Sequence, residues 1–165
     1  MNRFKTIAGL AIFVLLSACQ EKDSTDKQIT GLWKLESMKV RDTTLNTWSD
    51  YKGGMDGYLL YSQKGYVTLH LYEKGYEKAG VEFPNFNDSI PLEALKHITK
   101  SYYYMGSYKV SEKDSIVSHF KVSHSNPSEF GLTAERRFYF NGDTLVMQPV
   151  EQKNSRLKLK WLQPN

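Results

Sequence analysis

The sequence predicts an all-β fold, an antiparallel up-and-down barrel of about eight strands with one central helix. Composition is the first reason: 11 Tyr, 8 Phe and 3 Trp, with many Val, Ile and Thr, are the residue types that suit a pleated, half-buried surface. The second is alternation of apolar and polar residues at period two, and the third is turn chemistry separating those runs at short intervals.

Taken in order, residues 32–41 open the meander. Residues 58–61 lead through Ser62-Gln63-Lys64-Gly65 into residues 66–72. There Val67, Leu69 and Leu71 alternate with Tyr66, Thr68, His70 and Tyr72, so one face is aliphatic and the other aromatic and polar. Residues 89–105 break the pattern. Leu92, Leu95, Ile98, Tyr102 and Met105 recur at spacings of three and four, which predicts an amphipathic helix. Pro91 is tolerated in its first turn and Gly106 stands at its end. Set inside a meander, such a helix is placed to pack on the barrel or to lie across its open end. Residues 108–110 and 116–122 are joined by Glu112-Lys113-Asp114, and Asn141-Gly142 between residues 138–140 and 145–147 signals a type I′ hairpin. Over residues 156–162, Arg156, Lys158 and Lys160 alternate with Leu157, Leu159 and Trp161. Closing these strands into a barrel leaves no open edge.

The N-terminus reads differently. Arg3 and Lys5 precede an uncharged apolar stretch over residues 7–16, the layout of a signal peptide. At about 10 residues it is roughly half the ~20 needed to cross a bilayer as a helix. It ends in Leu16-Ser17-Ala18-Cys19, which resembles the lipobox of bacterial lipoproteins. That resemblance implies a diacylglycerol on the Cys19 thiol, cleavage before Cys19 by signal peptidase II, and acylation of the new amino group by a chain such as palmitate. Cys19 is the single cysteine, so it has no internal disulfide partner. Two or three acyl chains, at about 0.8 kcal/mol per buried methylene, make a stable anchor.

The expected organisation is a signal peptide over residues 1–18, a lipidated tether over 19–29 and a barrel domain over 30–165. Residues 20–28 contain Glu21, Lys22, Asp23, Asp26 and Lys27 and no apolar residue, the composition of a flexible tether. Gln20 is not the aspartate that retains lipoproteins in the inner membrane of some bacteria, so the outer membrane is the expected location. Glu21-Lys22-Asp23 is similar to the charged tract that sends some lipoproteins to the cell surface; the periplasmic and surface faces both stay open. The mature chain of 147 residues suits one domain. Loss of Arg3 and Lys5 lowers the net charge from +4 to +2, too little and too evenly spread for a nucleic-acid partner.

Gly31-Leu32-Trp33-Lys34-Leu35, Gly57-Tyr58-Leu59-Leu60-Tyr61, Tyr104-Met105-Gly106-Ser107-Tyr108 and Asn141-Gly142-Asp143-Thr144-Leu145 occur in that order, with Ser118-His119, Pro127, Gly131 and Arg136-Arg137. Together they resemble the bacterial and fungal lipocalin-like domain family over roughly residues 30–149. The resemblance implies a calycin-type antiparallel barrel with an internal cavity, in a family whose own ligands are largely undefined. Two positions depart from the family pattern: Glu129 stands where an aromatic is usual, and Phe120 where a second histidine is. In lipocalins generally the Gly-x-Trp tryptophan closes the narrow end and a late-strand arginine lies over it. By that resemblance Trp33 is structural, and Arg136 or Arg137 supplies a cation–π contact worth roughly 0.5 to 2 kcal/mol.

Histidines stand at 70, 97, 119 and 124. His119 and His124, five apart on one strand, are expected to face opposite sides, so no zinc-like pair is expected. With the one cysteine lipidated, thiolate metal and redox chemistry are excluded, and no cofactor is expected. His119 has the reference pKa of a general base; with Arg136 as oxyanion donor it would carry a cyclase or isomerase reaction, and alone it could ligate haem. The structural alternative is a core histidine bonded to a tyrosine or glutamate. Gly53-Gly54 lacks the lysine and helix of a phosphate loop. The tyrosines at 58, 61, 66, 72, 102, 103, 104 and 108 would give a cavity an apolar wall carrying hydroxyls, or would fill the core and decorate the outer sheet. The expected ligand contacts are Tyr58, Tyr66, His70, Tyr108 and His119, around a small, mainly apolar molecule bound without chemistry. The other readings are the enzyme just described and an envelope interaction module with a filled barrel.

Overall fold

Period-two patterning becomes a closed wall because each strand has one dry face to bury. The computed structural model describes residues 28–80, 89–150 and 158–163. The expected signal peptide, Cys19 and nearly all of the tether lie outside those residues. The strands are β1 (Gly31–Arg41), β2 (Trp48–Asp50), β3 (Met55–Tyr61), β4 (Tyr66–Glu73), β5 (Ser101–Ser111), β6 (Ile116–His124), β7 (Thr133–Asn141), β8 (Thr144–Pro149) and β9 (Lys158–Leu162), and helix α1 (Leu92–Ile98) precedes β5. Antiparallel pairing runs from β1 through β3 to β9, and β9 returns to β1, which closes eight strands into a barrel. Short β2 adds to the far end of β1 at Lys39, Val40 and Arg41. The all-β, antiparallel expectation is met.

The up-and-down path makes the two ends unlike. At one end lie tight connections over residues 62–65, 112–115 and 142–143, and at the other lie the longer ones that carry β2, α1 and residues 125–132. Inside the hairpin end, Trp33, Leu35, Tyr61, Leu145 and Trp161 are buried together. Trp33 Nε1 donates to the Ile29 carbonyl at 2.8 Å, and its ring meets Phe140 at 6.2 Å. Ile29, expected as the last residue of the tether, is fully buried; packing of the barrel therefore begins one residue earlier.

Close strand contact fixes two glycines. A Cβ on Gly57, whose φ is +152°, would lie 2.2 Å from the His70 carbonyl oxygen, and one on Gly106 would lie 1.8 Å from that of Phe120. Beside Gly106 the register slips: Met105 pairs with Ser123 while Gly106 pairs with Lys121. Val122 is thus one residue extra, a β-bulge. The slip changes which face later residues occupy, and His119, Lys121 and His124 are all buried. The expectation that His119 and His124 face opposite sides is corrected by this bulge.

Two further expectations change. The helix covers Leu92–Ile98 only, and Tyr102, Met105 and Gly106 belong to β5. Three successive tyrosines at 102–104 favour extended backbone, and pairing with both β4 and β6 supplies bonds that a longer helix would forfeit. In α1 the buried residues are Ala94 and His97, with His97 stacked on Tyr76 at 4.2 Å, while Leu92, Leu95 and Ile98 are exposed. In the hairpin joining β7 and β8, Asn141 pairs with Thr144 and Gly142, at φ 57°, takes the first central position. That is glycine leading the turn, not the Asn-Gly central pair of type I′.

Candidate ligand cavity

The long-connection end opens on a cavity of ≈ 570 Å³, within the roughly 300–1,000 Å³ typical of small-molecule sites. Inward residues of four strands give it an apolar floor: Met38, Met55, Leu69, Leu71 and Leu159. Its mouth is framed by Tyr51 and Lys52 before β3, by Lys100 and Ser101 where α1 hands over to β5, and by Asn126 and Glu129 between β6 and β7. The helix thus leads into the cavity rim.

One wall is charged. Lys121, 3% exposed, points inward because it shares the parity of Val117 and His119, and its ammonium is ion-paired with Glu129. That bond and the adjacent charge hold the Glu129 carboxyl below its ordinary pKa. Glu129 is the position where the family usually carries an aromatic; in this chain it supplies the counter-ion of a buried lysine. Arg136 on β7 also lines the cavity, half-buried, with Nη1 donating to the Glu135 carbonyl at 2.8 Å. His124 stands next to this wall, edge-on to Tyr102 at 4.8 Å and stacked on Tyr104 at 5.8 Å. The Asn126 backbone N–H donates to His124 Nδ1 at 2.8 Å, which places the neutral ring's proton on Nε2. Nε2 has no hydrogen-bond partner among the described residues. Burial, then Lys121, lowers the His124 pKa.

His119 is deeper, 1% exposed. Tyr61 Oη lies 2.7 Å from its Nε2 and Tyr104 Oη 2.6 Å from its Nδ1, so both ring nitrogens are occupied. Burial, then Arg136 and Lys121, pushes its pKa down to about 3; the ring is neutral at physiological pH. Burial also raises the Tyr61 hydroxyl well above its usual value. The trio is a neutral, mutually bonded network, and it offers no open nitrogen to a substrate.

The other expected contacts fall elsewhere. Tyr58 and Tyr66, 39% and 62% exposed, and His70, bonded to Ser101 Oγ at 2.8 Å, lie on the outer face. Burying Val67, Leu69 and Leu71 yields far more than burying their hydroxyl- and imidazole-bearing neighbours, which keep water outside. Tyr108 turns inward but at the hairpin end, edge-on to Tyr61 at 4.7 Å, its hydroxyl donating to the Ser62 carbonyl at 3.1 Å. Of the five expected contacts none lines the cavity. Trp33 is buried among aromatics, Arg136 lines the cavity and Arg137 is exposed on the outer face. The residue most plainly missed is Lys121, and its signal was present as the third member of the alternation Val117, His119, Lys121. Among the described residues no group of three or more His, Cys, Asp or Glu could hold a metal ion.

A family model described as a lipocalin-like domain matches residues 30–163. No curated protein and no solved structure matches the chain. A closed eight-strand barrel with a cavity at its long-loop end is the form that such a domain implies, and with the match spanning most of its length the chain belongs to the lipocalin-like domain family.

Proposed function

We propose that this protein is a lipid-anchored envelope protein whose barrel holds a small, mainly apolar molecule in its interior and does no chemistry on it. The observation that carries the binding reading is the cavity of ≈ 570 Å³ with a floor of Met and Leu side chains. Water held against that apolar floor is displaced favourably by hydrocarbon, at about 25 cal/mol per Å² of apolar surface buried. The occupied nitrogens and lowered pKa of His119 weigh against the acid–base alternative. Native mass spectrometry of the protein purified from its own host tests the reading: a mass excess over the lipidated polypeptide, lost on denaturation, is expected. Leu71→Trp, which fills the floor, should abolish that excess; a bare mass in repeated wild-type preparations would overturn the reading.

The anchor rests on the charge, apolar run and Leu16-Ser17-Ala18-Cys19 order of the N-terminus, and Gln20 directs it to the outer membrane. Radiolabelled palmitate should enter the wild-type chain and not Cys19→Ser. Equal labelling of both would remove the anchor from the proposal.

A further inference from the structure

The outer wall of the barrel is uneven. On β7 and β9 its outward positions include Glu135, Arg137 and Lys160, and β1 adds Lys34 and Glu36, the charges expected of a wall in water. The outward positions of the middle strands, over residues 58–60 of β3, 66–70 of β4 and 103–107 of β5, hold no Asp, Glu, Lys or Arg. Register sets them in rows. Leu60 lies beside Thr68 and Thr68 beside Met105; Tyr58 lies beside His70 and His70 beside Tyr103; Tyr66 lies beside Ser107. On β6 Phe120 continues the last row. The large side chains in these rows are 39% to 62% exposed, over roughly 15 Å by 13 Å from strand and pleat spacings. Apolar exposure continues at the mouth, where α1, the connection between β4 and β5, leaves Leu92, Leu95 and Ile98 exposed. Single exposed apolar residues are ordinary, whereas a contiguous uncharged sheet face is the kind that marks an interaction site.

The occupant follows from where the chain leads. Leu32 sits beside Leu60, so β1 runs along the edge of this face, and residues 20–28 are all that separates Ile29 from Cys19. Fully extended, that stretch reaches about 30 Å. A lipid on Cys19 holds the barrel within that distance of a bilayer, and so short a tether supplies an effective concentration on the order of millimolar. A face held there needs little affinity of its own. Its chemistry suits the boundary between hydrocarbon and head groups: Tyr58, Tyr66 and Tyr103 each join an apolar ring to a hydroxyl tip, the residue type enriched at that depth. We propose that the outer face of β3, β4 and β5 rests on the membrane that carries the lipid anchor, with the barrel on its side and α1 at the lipid surface. This rests on the anchored reading above and adds to it a second, non-covalent contact.

The test uses the lipidated protein in vesicles of phosphatidylethanolamine and phosphatidylglycerol. Cys19 is the single cysteine, so once it is acylated a cysteine introduced elsewhere is the one free thiol. An environment-sensitive dye is attached there, in Thr68→Cys at the centre of the face or in Arg137→Cys on β7. The dye at residue 68 is expected to shift to the blue and to be quenched by doxyl-labelled lipid, while the dye at residue 137 keeps its emission in water. Leu60→Lys with Met105→Lys should abolish both effects at residue 68 and leave the circular dichroism unchanged, because both side chains are exposed and each ammonium resists leaving water. Equal, unquenched emission at residues 68 and 137, in protein that still floats with the vesicles, would overturn the docking and leave the anchor standing. A blue shift at residue 68 that doxyl lipid does not quench would mean that a second copy covers the face, and would also overturn the proposal. Protein that takes up no palmitate and does not float would overturn anchor and docking together.

Discussion

The two ends of this barrel are built from the same strands and do opposite things. At the hairpin end Trp33, Tyr61, Phe140, Leu145 and Trp161 fill the space between short turns. At the other end the inward positions hold Ala134, unbranched Met side chains and two long cations, and a cavity remains. An interior of eight strands is just wide enough to be filled by side chains, so an empty half is a matter of residue choice, not of strand number. The difference teaches that closure supplies the wall, while inward volume decides whether the wall encloses anything.

The largest expected effect lies at the filled end. Trp161→Ala should cost about 3–5 kcal/mol by urea unfolding, the usual range for removing a buried tryptophan. Leu71→Ala beside existing space should cost about 2 kcal/mol, the low end for its class, because fewer packed neighbours are lost. Equal losses would mean that the cavity end is packed as tightly as the other.

The ion pair should respond unequally to removal of its two halves. Glu129→Gln leaves Lys121 buried without its counter-charge and should cost about 3 kcal/mol. Lys121→Met leaves a carboxylate that water can reach, since the Glu129 side chain is 36% exposed, and should cost about 1 kcal/mol. The reverse order in unfolding midpoints would show that Lys121 is solvated in solution.

His119 links the two ends through pH. Its pKa is about 3 in the folded state and near 6.5 in an unfolded chain. The stability it permits is complete above pH 6.5. As pH falls below that value the unfolded chain takes the proton and the native state does not, so stability declines by about 1.4 kcal/mol per pH unit toward pH 3. His119→Gln, which does not titrate there, should flatten that part of the profile; an unchanged slope would locate the titration in other groups. Smallest of all is Tyr66→Ser on the outer face, expected within about 0.5 kcal/mol of wild type and with an unchanged mass excess in native mass spectrometry. A loss of that excess would move the binding site outside the barrel.

The fold was readable because alternation survives in nearly every strand, and closure follows from the strand number. Three of the expected contacts, Tyr58, Tyr66 and His70, lie on the outer side of their strands. In β4 the pattern of Val67, Leu69 and Leu71 against Tyr66, Thr68, His70 and Tyr72 was plain, and the aliphatic set faces the interior; the hydroxyl-bearing set was assigned to the ligand because a binding site needs polar groups. The charged side chains on the cavity wall are instead Lys121 and Arg136, groups that composition alone would place in water. The inward turn of His124 was not legible at all. It depends on the extra residue Val122, and a bulge is decided by the register of a partner strand, not by the residues that form it. The helix was overrun for a related reason: Tyr102 and Met105 fit a three-to-four spacing, but pairing with β4 and β6 outweighs it.

The seam between β1 and β9 has a consequence for how the molecule is made. Lys34 lies opposite Leu162 and Leu35 opposite Trp161, so the first strand laid down by the ribosome waits for the last. Until then the growing sheet has two bare edges, able to pair with any neighbour that offers a strand, and contacts so distant along the chain form slowly. The molecule is at its most adhesive during its own synthesis, and a product cut short before Lys158 would stay in that state for good.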